Sequence, residues 1–567
     1  MSDYLVMASP WWHSTTIYQV YPRSFRDSNG DGIGDLAGII SELDYIASLG
    51  VGTVWVSPFF RSPQRDFGYD VSDYCDVAPE YGTLSDAESL IQEAHRRGLR
   101  VMFDLVLNHS SDEHPWFIES RTSRDNPRSD WYIWADSGTR RNLRGRRVPN
   151  NWRSIAELTS GWHYEPQRDQ WYFASFLPFQ PDLNWHNPDV RDAMFDVVRF
   201  WLERDVDGFR LDMFGDIMKD PALGRAKFRP GWENGFPQLF DRSLVRNTVA
   251  NFALARDLRS VAAEFDKAGA PVGDDDFASD RERLLLGEVF GGPEVLRRYM
   301  GADGDGLQLS FLFSFLALRY DADWLRDCVT GFEAEFPFPA EPTYVLENHD
   351  RSRLIDRVGG DLRKARVLAV AMLTLRGVPT IYQGQELGQS NTYIPLRDAL
   401  DPIVSTYFPW LPEVVNRLLP ERLNRDEVRT PMQWNSSPNA GFSDPGVEPW
   451  LPTNGDRSSA NVATQESDPD SILNLYRDLF ELRSSHDALA RGRLDMVPSV
   501  PEGTVAWLRS TNEERLFVVA NMADDPTVVP TGSSAELLLT TDAEARVGGS
   551  GLAVQMPGNS AAVLRLT

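Results

Sequence analysis

The chain has 567 residues, 42% of them hydrophobic and 25% charged, which is too long for one compact core and predicts a large domain with one or two smaller ones. A formal net charge of −26 argues against nucleic acid or an anionic membrane as partner, because phosphates are drawn to Lys and Arg fields, and it favours a small neutral substrate. Two cysteines, Cys75 and Cys328, imply no disulfide framework, and without a basic, apolar leader pattern or a run of about 18 apolar residues the expected address is the cytoplasm.

Short β-branched runs alternate with helical patterns over the first three-quarters of the chain. Predicted strands cover Thr16–Phe25, Val51–Pro58, Arg100–His109, Val206–Met213, Arg283–Phe290, Gln308–Phe313, Pro342–Asp350 and Val378–Glu386. Ala87, Leu90, Ile91 and Ala94 recur at helical spacing, as do Met194, Val197, Val198, Trp201 and Leu202. Gly50 and Gly98 stand where helix C-caps belong. Eight strand–helix units predict an α/β fold, a closed (β/α)8 TIM barrel with its site at the C-terminal strand ends. The barrel is expected over residues 1–109 and 179–485, with an excursion at about 387–434. An inserted domain rich in Trp, Arg, Asn and Pro would fill 110–178. After Ser485 the helical period stops, and alternating runs at Thr504–Leu508, Leu516–Ala520 and Ala561–Leu566 predict a C-terminal β-sandwich over 486–567.

Charged side chains fall at the ends of these apolar strands. The third ends in Asp104, Asn108 and His109, and the fourth carries Arg210 and Asp212. The fifth carries Glu288, and the seventh ends in Asn348, His349, Asp350 and Arg353. One acid at a strand end reads as a helix N-cap, but a converging set of acids, histidines and an arginine does not. Paired carboxylates suit a retaining glycoside hydrolase, which holds a nucleophile and a proton donor about 5–5.5 Å apart across the anomeric carbon. Arg210, two residues before Asp212 and so on the same strand face, would keep that carboxylate ionised and aimed. Glu288 follows an apolar LLLG run whose burial would suit a proton donor. A metal-dependent hydrolase is disfavoured by the lack of a His-x-x-x-His cluster. The loop Asp27–Asp35 (DSNGDGIGD) has oxygen ligands at alternating positions, Asp27, Asn29, Asp31, the Ile33 carbonyl and Asp35. It reads either as a calcium loop or as an Asx-rich turn.

These strands, with YQVYPRSF at Tyr18–Phe25, QPDLNW at Gln180–Trp185, GVPTIYQGQELG at Gly377–Gly388 and RTPMQWN at Arg429–Asn435, resemble the α-amylase superfamily, glycoside hydrolase family 13. Within it they are most similar to the oligo-1,6-glucosidase and α-glucosidase branch, over nearly the whole chain. The resemblance implies Asp212 as nucleophile, Glu288 as general acid/base and Asp350 as the carboxylate that grips the sugar hydroxyls. It implies His109 and His349 as hydroxyl partners and gives Asp104 and Asn108 structural roles. It pairs Asp70 of RDFGYD with Arg425 across the closed end of a glucose pocket, so that one terminal glucosyl unit is held at a time. It also implies a structural Ca²⁺ or Mg²⁺ at Asp27–Asp35, remote from catalysis.

Three places depart from the family pattern. Met213 follows the nucleophile at a position that selects linkage, where valine accompanies α-1,6 and alanine or threonine α-1,4 bonds; methionine fits neither group. Gln385 replaces a common glutamate. The stretch Asp216–Ser243 is expected to line the acceptor entrance but matches relatives loosely. The basic cluster Arg140–Arg147 reads as a solvated face. The expected function is therefore an exo-acting, retaining α-glucosidase of short α-glucosides. The competing readings are a transglucosylase or sucrose-converting enzyme with the same intermediate, and, more remotely, a non-catalytic binding relative.

Overall fold

The computed structural model describes residues 10–139, 145, 147–155, 159–233, 236–266, 282–338, 340–416, 422–549 and 551–567. Most of the Arg140–Arg147 cluster lies outside these residues. The larger part of the chain is built on eight parallel strands: β1 Ile17–Val20, β2 Thr53–Val56, β3 Arg100–Val106, β4 Gly208–Asp212, β5 Leu284–Gly287, β6 Leu309–Ser310, β7 Thr343–Val345 and β8 Val378–Tyr382. They are hydrogen-bonded in the order β6-β5-β4-β3-β2-β1-β8-β7. A parallel bridge from Phe311, just past β6, to Thr343 on β7 closes the ring. This is the predicted TIM barrel.

All eight predicted strands are present but shorter. The first stops at Val20 because Pro22, lacking an N–H, opens a 3-10 turn over Pro22–Ser24. The sixth ends at Ser310, since beyond the Phe311 bridge the chain turns, with Phe315 N–H bonded to Leu312 O.

Strand alternation sets which side chains enter the barrel. Ile17, Trp55, Met102, Leu284, Leu286, Leu309, Val345 and Val378 form one buried interior cluster. On β3 and β4 the next inward positions are polar: Asp104 lies two residues after Met102, and Asp104 pairs in register with Arg210, Val106 with Asp212. The apolar layer thus floors the barrel, and the charged groups sit on it at the C-terminal end. The helices cover the outer face. Leu84–Arg96 starts with a Thr83–Asp86 capping box and buries Ala87, Leu90, Ile91 and Ala94. Pro188–Leu202 starts with an Asn187 cap and a proline in its first turn, burying Met194, Val198 and Trp201.

Between β3 and β4 the chain forms a three-stranded antiparallel sheet, Trp134–Ala135, Gln170–Phe173 and Trp162–Glu165. Trp152, Trp162, Trp171 and Phe173 pack beneath it, joined by Val245 from the loop after β4. Asn150 and Trp152 donate to the carbonyls of Leu223 (3.0 Å) and Gly224 (2.8 Å) in that loop. The loop itself carries an antiparallel ribbon, Phe228–Glu233 with Phe236–Phe240.

The C-terminal strands form antiparallel sheets of five and three strands around Phe517, Val519, Val529, Val554 and Met556. Arg509 fastens this part to the barrel by donating to Thr374 O (2.8 Å) at the C-terminal end of the helix Leu362–Thr374, where unsatisfied carbonyls and the helix dipole favour cations; Arg483, from the preceding helix Ile472–Ser485, donates to Leu373 O (2.9 Å) at the same end. No helix among the described residues is long and apolar enough to cross a membrane.

Candidate active site

The C-terminal strand ends surround a cavity of about 220 Å³. Asp212, Glu288 and Asp350 all line it, with His109, Tyr69, Asp66 and Arg425. Arg210 is the hub beneath. One nitrogen donates to Asp104 (2.7 Å) and to Asp212 (2.9 Å), and the other reaches Glu288. Burial pushes Asp212 well above the carboxylate range; Arg210 pulls it down, while Glu288 and Asp104 raise it further. Burial likewise lifts Asp104 to about 6 against the pull of Arg210. Three carboxylates thus share one guanidinium in a low-dielectric site, and this crowding of like charge adds to the burial that raises Asp212. A retaining hydrolase requires one carboxyl of its pair protonated and the other ionised.

Met213 adopts a left-handed conformation (φ 42°, ψ 40°), uncommon for a side chain of its size. Its N–H thereby donates to Glu288 Oε2 at 3.1 Å, and Met213 lines the cavity.

Asp350 is held from below by cations. Arg429 donates to Oδ1 at 2.7 Å and Arg425 at 3.2 Å. Burial works to raise Asp350, but His349, Arg425 and Arg429 outweigh it and hold the carboxyl well below its ordinary range. His349 is itself pushed down to about 3, chiefly by burial, so near neutrality the two arginines do this work. Burial and Lys219 push His109 down to about 3 as well. Its Nδ1 faces Asn108 Nδ2 (3.1 Å) and its Nε2 the Tyr69 carbonyl (3.1 Å), which makes Nε2 the donor. Asn108 in turn receives Lys219, which also pairs with Asp182 at 2.5 Å.

The expected Asp70–Arg425 pair is not formed. Arg425 instead makes a two-pronged bond to Asp401 (2.8 Å each) and meets Asp66 at 3.1 Å. The reason lies in the loop backbone: Gln64, Phe67 and Gly68 have positive φ, folding the chain so that the two acids of RDFGYD diverge. Asp70 points inward, accepting from Ser62 Oγ (2.8 Å) and from the N–H groups of Arg65 (3.1 Å) and Asp66 (3.0 Å). Burial pushes it up to about 7. Asp66 points outward to Arg425 and accepts from Gln180 at 2.9 Å. Sequence reasoning thus missed Asp66, Asp401, Arg429 and Tyr69. Asp66 was one residue choice away within a quoted motif; Asp401, before a proline, reads as the helix N-cap it also is.

Beyond Glu288 the walls turn apolar: Ile155, Met213, Phe290, Phe313 and Leu316, with Phe290 and Phe313 stacked at 4.8 Å. Gln238, Arg242 and Arg246 come from the loop after β4, and Arg246 is bound to Asp216 (2.6 Å). This fits the expectation that Asp216–Ser243 lines the entrance. Gln385 lies outside the cavity, donating to Tyr476 (3.0 Å).

The Asp27–Asp35 loop is separate from the cavity. Asp27 accepts from the N–H groups of Gly30 (2.7 Å) and Gly32 (2.9 Å), and Asp35 caps the helix Leu36–Ser41. Gly32 has φ 87°, and a Cβ there would meet Glu448 O at 2.3 Å, so the tight wrap requires glycine. The carboxylate and carbonyl oxygens of Asp27, Asn29, Asp31, Ile33 and Asp35 have the hard donor chemistry that suits Ca²⁺ or Mg²⁺. Among the described residues no group of three or more His, Cys, Asp or Glu converges as metal ligands.

Comparisons with known proteins agree on lineage. The chain is 41% identical to a probable α-glucosidase of Rhizobium meliloti over 91% of its own length and 90% of that protein's. It is 34% identical to an oligo-1,6-glucosidase of Parageobacillus thermoglucosidasius, with 91% of each covered. Among solved structures, a trehalulose synthase superposes with TM-score 0.87 at 31% identity, covering 98% of this chain and 100% of that one. An α-glucosyl transfer enzyme superposes with TM-score 0.84 at 34% identity, covering 99% and 100%. Residues 19–492 match the alpha amylase, catalytic domain family, and the chain belongs to that family.

Proposed function

We propose that this chain is a retaining, exo-acting α-glucosidase that removes the non-reducing terminal glucose from small neutral α-glucosides. The observation that carries the reading is a cavity lined by Asp212 and Glu288 together with Arg425, whose bonds to Asp401, Asp66 and Asp350 form a charge cluster that would close one end. A pocket blocked by such a charge cluster accepts a chain end and leaves no passage for a longer chain beyond it.

Asp212 attacks the anomeric carbon while Glu288 gives its proton to the departing glycosidic oxygen, leaving a glucosyl ester on Asp212. Glu288, now ionised, takes a proton from water as that water displaces Asp212 and restores the starting state. Arg210, touching both carboxylates, stabilises whichever is charged at each stage. Asp350 accepts hydrogen bonds from the ring hydroxyls, with His109 beside it. Met213, on the wall next to Glu288, shapes the room for the leaving group and so influences linkage. Asp27, Asn29, Asp31, Asp35 and the Ile33 carbonyl would hold a structural Ca²⁺ or Mg²⁺ that stiffens their loop without entering the reaction.

Transfer to a sugar acceptor is the second reading, favoured by the apolar leaving-group wall and by the named activities of the two structural neighbours. Proton NMR of product formation from maltose, isomaltose, nigerose and sucrose decides between them. Free glucose appearing first as the α-anomer, in step with substrate loss, supports hydrolysis. New glucosides dominating at high substrate concentration support transfer, and β-glucose as first product contradicts both.

A further inference from the structure

We infer that Gln19, on β1, is a positioning residue of this site: its side-chain amide fixes His349 as the Nε2–H tautomer and through it orients Asp350. The inference rests on the reading above only in giving Asp350 a task at the sugar.

Gln19 and His349 are fully buried, and neither lines the cavity. Gln19 Nε2 lies 3.0 Å from Ser57 Oγ and 2.8 Å from His349 Nδ1. In this orientation both amide protons are used and only Oε1 lacks a partner among the described residues. Turning the amide over would leave two buried N–H donors bare instead of one acceptor, the worse arrangement. The amide therefore donates to Nδ1, and the ring proton belongs on Nε2.

The other side of the ring agrees independently. Nε2 lies 2.7 Å from Tyr69 Oη and 3.3 Å from Asp350 Oδ2. An ionised carboxylate only accepts, so the nitrogen facing it must donate. Tyr69 Oη lies 3.4 Å from Asp104 Oδ2, to which it donates, leaving its oxygen free to accept from His349. The polarity runs one way, from Gln19 through His349 and Tyr69 to Asp104, the carboxylate on Arg210. The opposite tautomer would set N–H against N–H at Gln19 and a lone pair against Asp350. Tyr69, nearly coplanar with the imidazole (5.6 Å, 7°) and joined to its edge through the hydroxyl, and Tyr21 beside it (5.7 Å, 24°) fix the ring plane, but the aromatic contacts are blind to the tautomer. Two polar contacts do select it, and Gln19 at 2.8 Å carries more of the preference than Asp350 at 3.3 Å. Asp350 then has Oδ1 held by the arginines, and its Oδ2 faces the Nε2–H edge of His349, whose short bond goes to Tyr69.

The test is Q19M, similar in size and without donors, in protein carrying ¹⁵N-labelled histidine. There are 8 histidines, and the His349 signals are identified by their loss in H349Q. Wild type should show His349 with a protonated Nε2 and a bare Nδ1. Q19M should show both tautomers, with kcat lowered about tenfold, the worth of one such hydrogen bond, and KM changed less. If Q19M does not fold, Q19E serves: its acceptor should move the proton to Nδ1 and lower kcat. An unchanged Nε2–H signal with kcat within about twofold of wild type in either variant overturns the inference. A wild type that cleaves no glucoside would instead remove the α-glucosidase reading, while the tautomer would still be read directly.

Discussion

At its closed end the pocket is charge held by charge. Arg425 is bonded to three carboxylates, Asp350 is shared by two arginines, and Gln180 steadies Asp66. At the leaving-group end the wall is mostly Ile155, Met213, Phe290, Phe313 and Leu316, and its polar residues come from the long loop after β4. Each polar group at the closed end has a fixed partner, so a substitution there strands a buried charge. At the apolar end a substitution mainly changes shape, which adjusts specificity without destroying chemistry.

The largest effects should come from the wall between the two ends. D212N should lower kcat by more than about 10⁴-fold and E288Q by about 10²- to 10⁴-fold on an unactivated disaccharide, with circular dichroism unchanged. At the closed end, R425M leaves Asp66, Asp401 and Asp350 facing one another. Steady-state kinetics should show kcat/KM down about 10²- to 10³-fold. D70N, which sets an amide against a loop N–H and displaces Asp66, should raise KM about tenfold.

At the other end, M213A should change the ratio of kcat/KM for maltose and isomaltose by about tenfold while leaving an activated aryl glucoside nearly unaffected. An M213A effect as large as that of R425M, on every substrate alike, would erase the contrast between the ends. The smallest effect lies outside both. Burial pushes His114 down to about 3, far below the ordinary histidine value near 6.5, so its contribution to stability is lost as pH falls from about 6.5 toward 3. H114N keeps the helix cap but cannot take a proton. Its Tm relative to wild type should therefore move in the variant's favour between about pH 7 and pH 5, read by calorimetry.

The same contrast governs what could be read from the sequence. Asp212 and Glu288 were legible because each stands at the end of an apolar strand, Asp104 because strand alternation sets it on the same face as Met102, and Asp350 through the motif that follows its strand. The barrel followed from eight such strands. Asp66 was not legible, because RDFGYD contains two acids four positions apart and only the positive φ at Gln64, Phe67 and Gly68 decides which one faces Arg425. Asp401 hid behind its ordinary role as a helix cap. Of the leaving-group wall, Met213, Phe290 and Phe313 stand at the ends of predicted strands, whereas Ile155 and the polar residues of the loop after β4 were not legible, because their approach depends on the inserted sheet docking on that loop. Gln19 stood inside a quoted motif, but its task depends on a histidine more than three hundred positions away.

The central claim is that Asp212 carries the glucosyl group between two steps. The direct measurement is to trap that ester with 5-fluoro-α-D-glucosyl fluoride, which forms the intermediate faster than it releases it, and to locate the label by mass spectrometry of a peptic digest. The account predicts one added fluoroglucosyl unit on the peptide containing Asp212, released with recovery of activity on adding an acceptor sugar, and none in D212N. A label on any other residue, or its persistence in D212N, would contradict it.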